Sequence, residues 1–491
     1  MRLIATYLLL VAPLSYAVDY KNAFSVFPEP AVPSVALNGS YTTFGNKVFR
    51  LTDRKSCGGG NQSWSHWYAD RSALNAANTW AVVVNQTGGW CMIPISWTGA
   101  AGAEVPTAGK GTRLVAGAPG GPAQISFGFW DPVNRDRYWT TSGKQLWRLA
   151  PSTMTWTMVR DFRTDVPDMS AYMGIPCGYS PARSFLVIQG FAPDGSKLIA
   201  DLRTESKNSF GTLLYNISTN SIIRFDAGVQ VVNRSPSPAG PAARSHGGGV
   251  DKSFRWLFQQ EGDPPSGCAT GAIVHSYVMP IDVANLYGVA TRPSYSTSGL
   301  EPTAHGVALA GAVAVGTNGV GAGGVEWFAE NPTVGSMRGL RWTNISSTAP
   351  DRATFQQPYK FIFGWRYNDI GGYHFSANQL GSDTWVFMSS YQELNRPRIT
   401  THLAHEIIAV DTRVAMTYPG PNKPTGWNIL RLGHHHSYPE DPANAVGGTT
   451  YYEQPHASSS LDGKFVVFGS TMGRNASYDL YLMVLPVSVR P

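Results

Sequence analysis

The stretch SHWYADRSALNAANTWAVV at 65–83 recurs in outline as YHFSANQLGSDTWVFMSSY at 373–391. Each opens with a histidine beside an aromatic residue, passes through a polar turn and enters an apolar strand at Asn-Thr-Trp or Asp-Thr-Trp. Shorter versions stand at 190–203, GFAPDGSKLIADLR, and at 456–470, HASSSLDGKFVVFGS, where an Asp-Gly turn separates a first strand from a second. Apolar strands on either side of such a turn are a β-hairpin signature. Self-similarity at a long period marks a repeat architecture.

Working outward from these stretches, seven units open near His66, Ile125, Val187, His246, His305, His374 and His456. Most are followed by a further alternating strand, as in KQLWRLAP at 144–151, TLLYNIST at 212–219, IVHSYVMPID at 273–282, HEIIAVDTR at 405–413 and DLYLMVLPV at 479–487. This pattern predicts an all-β fold: a single-domain, seven-bladed β-propeller over 18–491, with blades of about four antiparallel strands. The segment KVFRLTD at 47–53 precedes the first unit and is placed to pair with the last, closing the ring. Sandwiches rarely reach this length as one repeat-bearing domain, and β-helix repeats are much shorter. No long stripe of helical period occurs, so helices are expected to be short and rare.

Composition agrees. With 52 Gly, 34 Pro, 15 Trp and only 14% charged residues, the chain has the turn formers and the apolar and aromatic side chains of many short strands around a large core. Residues 1–17 read as a signal peptide, with Arg2 before an apolar core from Leu3 to Leu14 and a small-residue cleavage site at Ser15-Tyr16-Ala17. A secreted or periplasmic protein is therefore expected. No later run approaches the roughly 20 apolar residues of a membrane-crossing helix. The charge of +6 is spread without a Lys/Arg block, which argues against nucleic-acid and membrane-surface partners. A modest excess of cations suits an anionic polymer, and suits an ordinary basic exported protein equally. Cys57, Cys91, Cys177 and Cys268 allow three pairings, which sequence alone does not decide; Cys57 with Cys91 is preferred because both flank the first unit. The N-x-S/T triplets, at Asn61, Asn85, Asn216 and Asn344 among others, are no more than such a composition gives by chance.

The informative feature is where the histidines fall. His66, His246, His305, His374 and His456 each stand where the innermost strand of a unit begins, and these are five of the eleven in the chain. In a radial repeat, equivalent positions gather at one mouth of the central channel. Imidazole ligates divalent metals and moves protons near neutral pH. A single histidine at such a position more often bonds backbone at a blade entrance; five equivalent ones favour a shared site. Gln454 and His456 are two apart and share a face if extended. His434, His435 and His436 precede them, and one of those rings reaching the mouth would suffice. A rival metal site pairs Cys268 with His275, joined by His246; its spacing is that of no recognised zinc motif, and a disulfide is the plain alternative for Cys268.

The SHWYADRSALNAANTW opening, the GYHFSANQLGSDTW unit and the closing EQPHASSSLDGKFVVFGS with its preceding RLGHHHSY together resemble the seven-bladed propeller polysaccharide lyases. The likeness is to the oligogalacturonate lyases and, more loosely, the ulvan lyases, and covers about a third of the chain. It implies a metal site at His374, Gln454 and His456, holding a divalent ion such as Mn, Ca or Zn. Where the family's closing motif has two histidines two apart, this chain has Gln454 and His456, so a complete set needs help from His434 or His436. The resemblance implies an anionic, uronic-acid-containing polysaccharide or oligosaccharide as substrate, cleaved by β-elimination. The catalytic candidates are His66, His246 and His305, with His246 or His305 as base and Tyr68 or Tyr373 as proton donor. Arg183 and Arg203 are candidate carboxylate clamps, although a structural ion pair is the commoner use of each. Two other classes stay open. A glycoside hydrolase would need two placed carboxylates, for which Glu261, Asp263, Glu326 and Glu453 are available, none of them at the recurring inner-strand position. A non-enzymatic glycan-binding propeller would use tryptophans as stacking platforms, although tryptophans also fill blade cores.

Overall fold

The computed structural model describes residues 30–58, 62–69, 71–165, 184–204, 209–226, 244–250, 254, 256–262, 276–280, 322–329, 337–349, 352–355, 360–366, 372–376, 378–380, 384–391, 403, 405–411, 429–437, 454–472 and 478–490. The leader at 1–17, Arg183, His275, His305, Cys177, Cys268, Asp263 and Glu453 lie outside them. For His246, Arg203, Glu261, Tyr373 and Glu326 only the backbone strand is described.

The described residues are all-β, in successive antiparallel sheets. Trp80–Val84, Trp90–Thr98, Val105–Ala108 and Thr112–Leu114 form one, and Phe129–Trp130, Tyr138–Ser142, Gln145–Ala150 and Thr155–Asp161 the next. A seven-stranded sheet follows, in which the run from Ser184–Phe191 to Ser221–Asp226 joins the run from Arg244–Val250 to Ser276–Pro280. That join rests on one residue pair, Ser209 with Ser245. Ala322–Ala329, Met337–Ala349, Arg352–Phe355 and Lys360–Arg366 make a four-stranded sheet, as do Gly372–Ser376, Trp385–Tyr391, Glu406–Asp411 and Ile429–His434. The last sheet contains both ends of the described chain: Ser40–Thr43 and Asn46–Arg50 lie beside Asp479–Val484, Phe465–Ser470 and Ser458–Ser459. Phe49 faces Leu482 and Arg50 faces Tyr481, the pairing expected of the segment at 47–53. Among the described residues the one helix is the 3-10 turn Val487–Val489.

Side-chain alternation explains how the sheets stack. In Phe465–Ser470, Phe465 and Val467 face a core shared with Val83, Ile93 and Trp64, while Val466 and Phe468 face one shared with Phe387, Ile407 and Leu432. In Trp80–Val84, Ala81 and Val83 join the first of these cores, while Val82 and Val84 meet Trp130, Tyr138 and Leu149 of the following sheet. Trp139 and Leu146 then pack on Leu186, Ile188 and Leu213 of the one after. Each of these sheets is thus apolar on both faces and sandwiched between neighbours, which is why the strands read as nearly continuous apolar runs. Each fully buried Val, Leu or Phe contributes about 1.5–3 kcal/mol. The disulfide Cys57–Cys91 ties the segment before the first sheet to its second strand.

The N-terminal hairpin turns on Phe44 and Gly45, with φ of 44° and 79°. Positive φ at both central residues matches the twist of flanking strands. Glycine takes it freely, whereas Phe44 is held there by stacking on His434, with ring centroids 5.0 Å apart.

Candidate functional site

Three stretches far apart in the chain meet in one buried cluster. Ser65 pairs with Val84, which fixes the segment carrying His66 and Tyr68 against the inner edge of the first sheet. His374 lies in the edge strand Gly372–Ser376, opposite Ser389. Gln454 and His456 lead into Ser458–Ser459 at the edge of the closing sheet. His66, His374, Gln454 and His456 are all buried and Tyr68 is half-buried. The rings of His374 and His456 are 4.3 Å apart, and that of Tyr68 lies 5.0 Å from each. His374 Nε2 is 2.6 Å from Gln454 Oε1, and His66 Nε2 contacts the backbone carbonyl of His456.

A polar frame holds the three stretches together. Ser458 Oγ donates to the carbonyl of Arg71, and Asn378 Nδ2 reaches Ala69 O at 3.2 Å and Ser458 Oγ at 3.0 Å. Ser459 N–H donates to Ser376 Oγ at 2.9 Å, and Ser459 Oγ to Gln379 Oε1 at 2.9 Å. Ala457 N–H donates to Ser389 Oγ at 3.0 Å. Buried, satisfied networks of this kind fix geometry more than they add stability. Reading the sequence alone misses these frame residues. Their only signal is the Ser-Ala-Asn-Gln run after His374 and the triple serine after His456, both of which look like turns.

Burial sets the electrostatics. Removal from water lowers the His66 imidazole to about 4, against a smaller opposite effect of its bond to the His456 carbonyl. His456 is held well below the ordinary imidazole range by burial first, then by the neighbouring His374 and His66 rings. Both are neutral at neutral pH and keep a nitrogen lone pair. His456 has a φ of 43°, a left-handed backbone that is uncommon for a non-glycine residue. Strained backbone of this sort clusters at functional sites.

The donor set, two imidazoles and a carboxamide oxygen, is of the kind that holds a divalent ion, and in the structure His374 Nε2 and Gln454 Oε1 share a hydrogen bond that an ion would replace. Among the described residues no three His, Cys, Asp or Glu side chains are grouped to hold an ion, so Gln454 is the donor on which the set depends.

His434 and His436 lie elsewhere, under the N-terminal hairpin. His434 stacks on Phe44, the His436 ring is 5.9 Å from that of Tyr41, and the two imidazoles are 5.9 Å apart. His435 accepts from the Ser437 N–H at Nδ1 at 3.1 Å, so its Nε2 carries the proton toward Ser390 Oγ at 3.3 Å. His405, which the repeat pattern does not mark, sits with its ring 5.7 Å from that of His435. Beneath them Arg431 and Glu406 form a buried two-point ion pair, each 1% exposed. Of the site residues expected from sequence, five converge (His66, Tyr68, His374, Gln454, His456) and two form this second group, while Arg183, Arg203, His246, His305 and Tyr373 have no described side chain.

No protein-family model and no curated protein matches the sequence. In structure the chain is similar to an oligogalacturonate lyase from Vibrio parahaemolyticus, at 9% identity and a TM-score of 0.53, over 94% of this chain and 100% of that one. It is also similar to the β-propeller domain of the Trilobed protease from Pyrococcus furiosus, at 8% identity and a TM-score of 0.35, over 73% of this chain and 80% of that one. The first likeness spans both chains almost whole and concerns the fold. The chain is an all-β protein of successive antiparallel sheets, with β-propellers among its structural neighbours.

Proposed function

We propose that the chain is an exported polysaccharide lyase on a seven-bladed β-propeller, cleaving a uronic-acid-containing glycan by β-elimination at the mouth lined by His66, Tyr68, His374, Gln454 and His456. The observation that carries this reading is the meeting of those five side chains from three distant stretches at one buried point. The name of the Vibrio protein, an oligogalacturonate lyase, supports it. Seven blades follow if the seven-stranded sheet is two units joined at Ser209 and Ser245, which with the other five sheets makes seven. The Cys57–Cys91 bond supports export, since such bonds persist in oxidising compartments.

β-Elimination removes the proton at C5 of the uronate and expels the oxygen at C4. His374, Gln454 and His456 would hold the divalent ion, which when bound supplies positive charge to neutralise the uronate carboxylate. Tyr68, half-buried beside two imidazoles, donates a proton to the departing oxygen. The base in this reading is His246 or His305, which open two further units of the repeat. His66 is neutral and positions its neighbours.

The test is incubation with a panel of uronate polymers, reading the ultraviolet absorbance of the unsaturated product. A rise abolished by EDTA supports the metal-assisted lyase. New reducing ends without that absorbance indicate a hydrolase, and polymer retention with neither signal indicates a binding protein; either outcome overturns the proposal.

A further inference from the structure

His66 contributes a ring whose two nitrogens have unlike surroundings. Nε2 meets the backbone carbonyl of His456, and Nδ1 is buried without a hydrogen-bond partner. A carbonyl oxygen only accepts, so the proton must sit on Nε2 and the lone pair on Nδ1. The residue whose carbonyl is held has a φ of 43° and a ring in contact with both His374 and Tyr68.

We propose that His66 is a positioning residue: its Nε2–H clamps the His456 carbonyl, and this bond keeps His456 in the left-handed backbone that turns its ring toward His374 and Tyr68. This rests on the reading that His456 belongs to an active site. Loss of the clamp leaves the His456–Ala457 peptide with the bond from the Ala457 N–H to Ser389 Oγ, at 3.0 Å, and lets the His456 ring shift within the cluster. His66 and His456 are 390 residues apart, so the bond also joins the segment before the first sheet to the start of the closing one. The hydrogen bond from Ser458 Oγ to the Arg71 carbonyl also joins these stretches, at an atom other than the His456 carbonyl. A packing role alone would need only the ring's shape; the clamp needs its donor.

The experiment compares His66→Gln, whose amide nitrogen reaches the place of Nε2, with His66→Phe, which keeps a ring and loses the donor. The Gln variant is expected to keep turnover and the Phe variant to lose about tenfold or more, the value of one hydrogen bond held through the transition state. Equal turnover in the two variants overturns the clamp. Nitrogen-15 NMR of histidine-labelled wild-type protein decides the matter independently of folding in the variants and of any activity. His66 protonated at Nε2 with a bare Nδ1 supports the proposal, and a proton on Nδ1 overturns it. If the wild type cleaves no uronate polymer, the proposed function fails while the NMR result still judges the clamp.

Discussion

The two histidine groups are equally deep and differ in what surrounds the rings. In the first, His66, His374 and His456 come from three distant stretches and face one another, a tyrosine and a carboxamide. In the second, His434, His435 and His436 are consecutive: His435 bonds the Ser390 hydroxyl and the Ser437 amide, and the rings of His434 and His436 lie against Phe44 and Tyr41 of the hairpin. Crowding of histidines along a chain is therefore a weaker sign of chemistry than their convergence from far apart. The first group has the arrangement that the proposed function needs. The second is arranged to hold the closing hairpin against the sheet beneath.

Experiments that set function against stability can break this contrast. The largest expected effect is in the first group: His374→Ala and His456→Ala should each lower turnover by about 10²–10⁴-fold, with a melting temperature close to wild type. Retained turnover and retained metal in both would end the assignment of roles. Next is Glu406→Gln, which strands the buried Arg431 charge and should cost about 3–5 kcal/mol in denaturant unfolding, with turnover per folded molecule unchanged. A selective loss of turnover would show that the second group is not merely structural. His435→Ala removes the partner of Ser390 and of the Ser437 amide and should cost about 1–3 kcal/mol, again without a change in turnover.

The last expected effect is a pH dependence at the ring seam. Asp479, whose backbone bridges to Trp64, is raised to about 6 by burial, against the opposing pull of Arg50, with Asp53 adding to the rise and Arg54 opposing it. Arg50 NH2 lies 2.8 Å from one oxygen, and the other has no hydrogen-bond partner. A carboxyl raised above its unfolded value of 3.8 stabilises the fold when protonated, so its contribution is complete below that value and is lost as pH rises through about 6. Thermal melts should show a loss of up to about 3 kcal/mol across that window, and Asp479→Asn should flatten it. A steeper curve in the variant would reverse the sign.

Much of the fold and part of the site are legible in the amino-acid order itself. Asp-Gly turns and alternating apolar residues mark hairpins locally, so the strands at 197–204, 465–470 and 479–484 can be read directly, as can the pairing of the segment at 47–53 with the last strand. His66, His374 and His456 stand out because they share one position in the repeat, and Gln454 because it lies two residues before His456. The frame around them does not, because Asn378, Gln379 and the triple serine act across 80 residues or more and look locally like turn formers. The Glu406–Arg431 pair needs the register of two adjacent strands, which is shifted between Ile407 and Ile408. Nor can the sequence tell which rings of 434–436 turn toward which neighbour, since the left-handed φ of 51° at His436 interrupts the simple alternation of a strand.

Pairing Asn46–Arg50 with Asp479–Val484 has a consequence for biosynthesis. A ribosome must polymerise nearly the whole chain before the partner of the first hairpin exists, and His456 likewise emerges long after His66. A nascent or truncated polypeptide therefore carries no assembled cluster, whatever its earlier sheets have done. Deleting only the final strand should silence the protein as completely as removing its histidines.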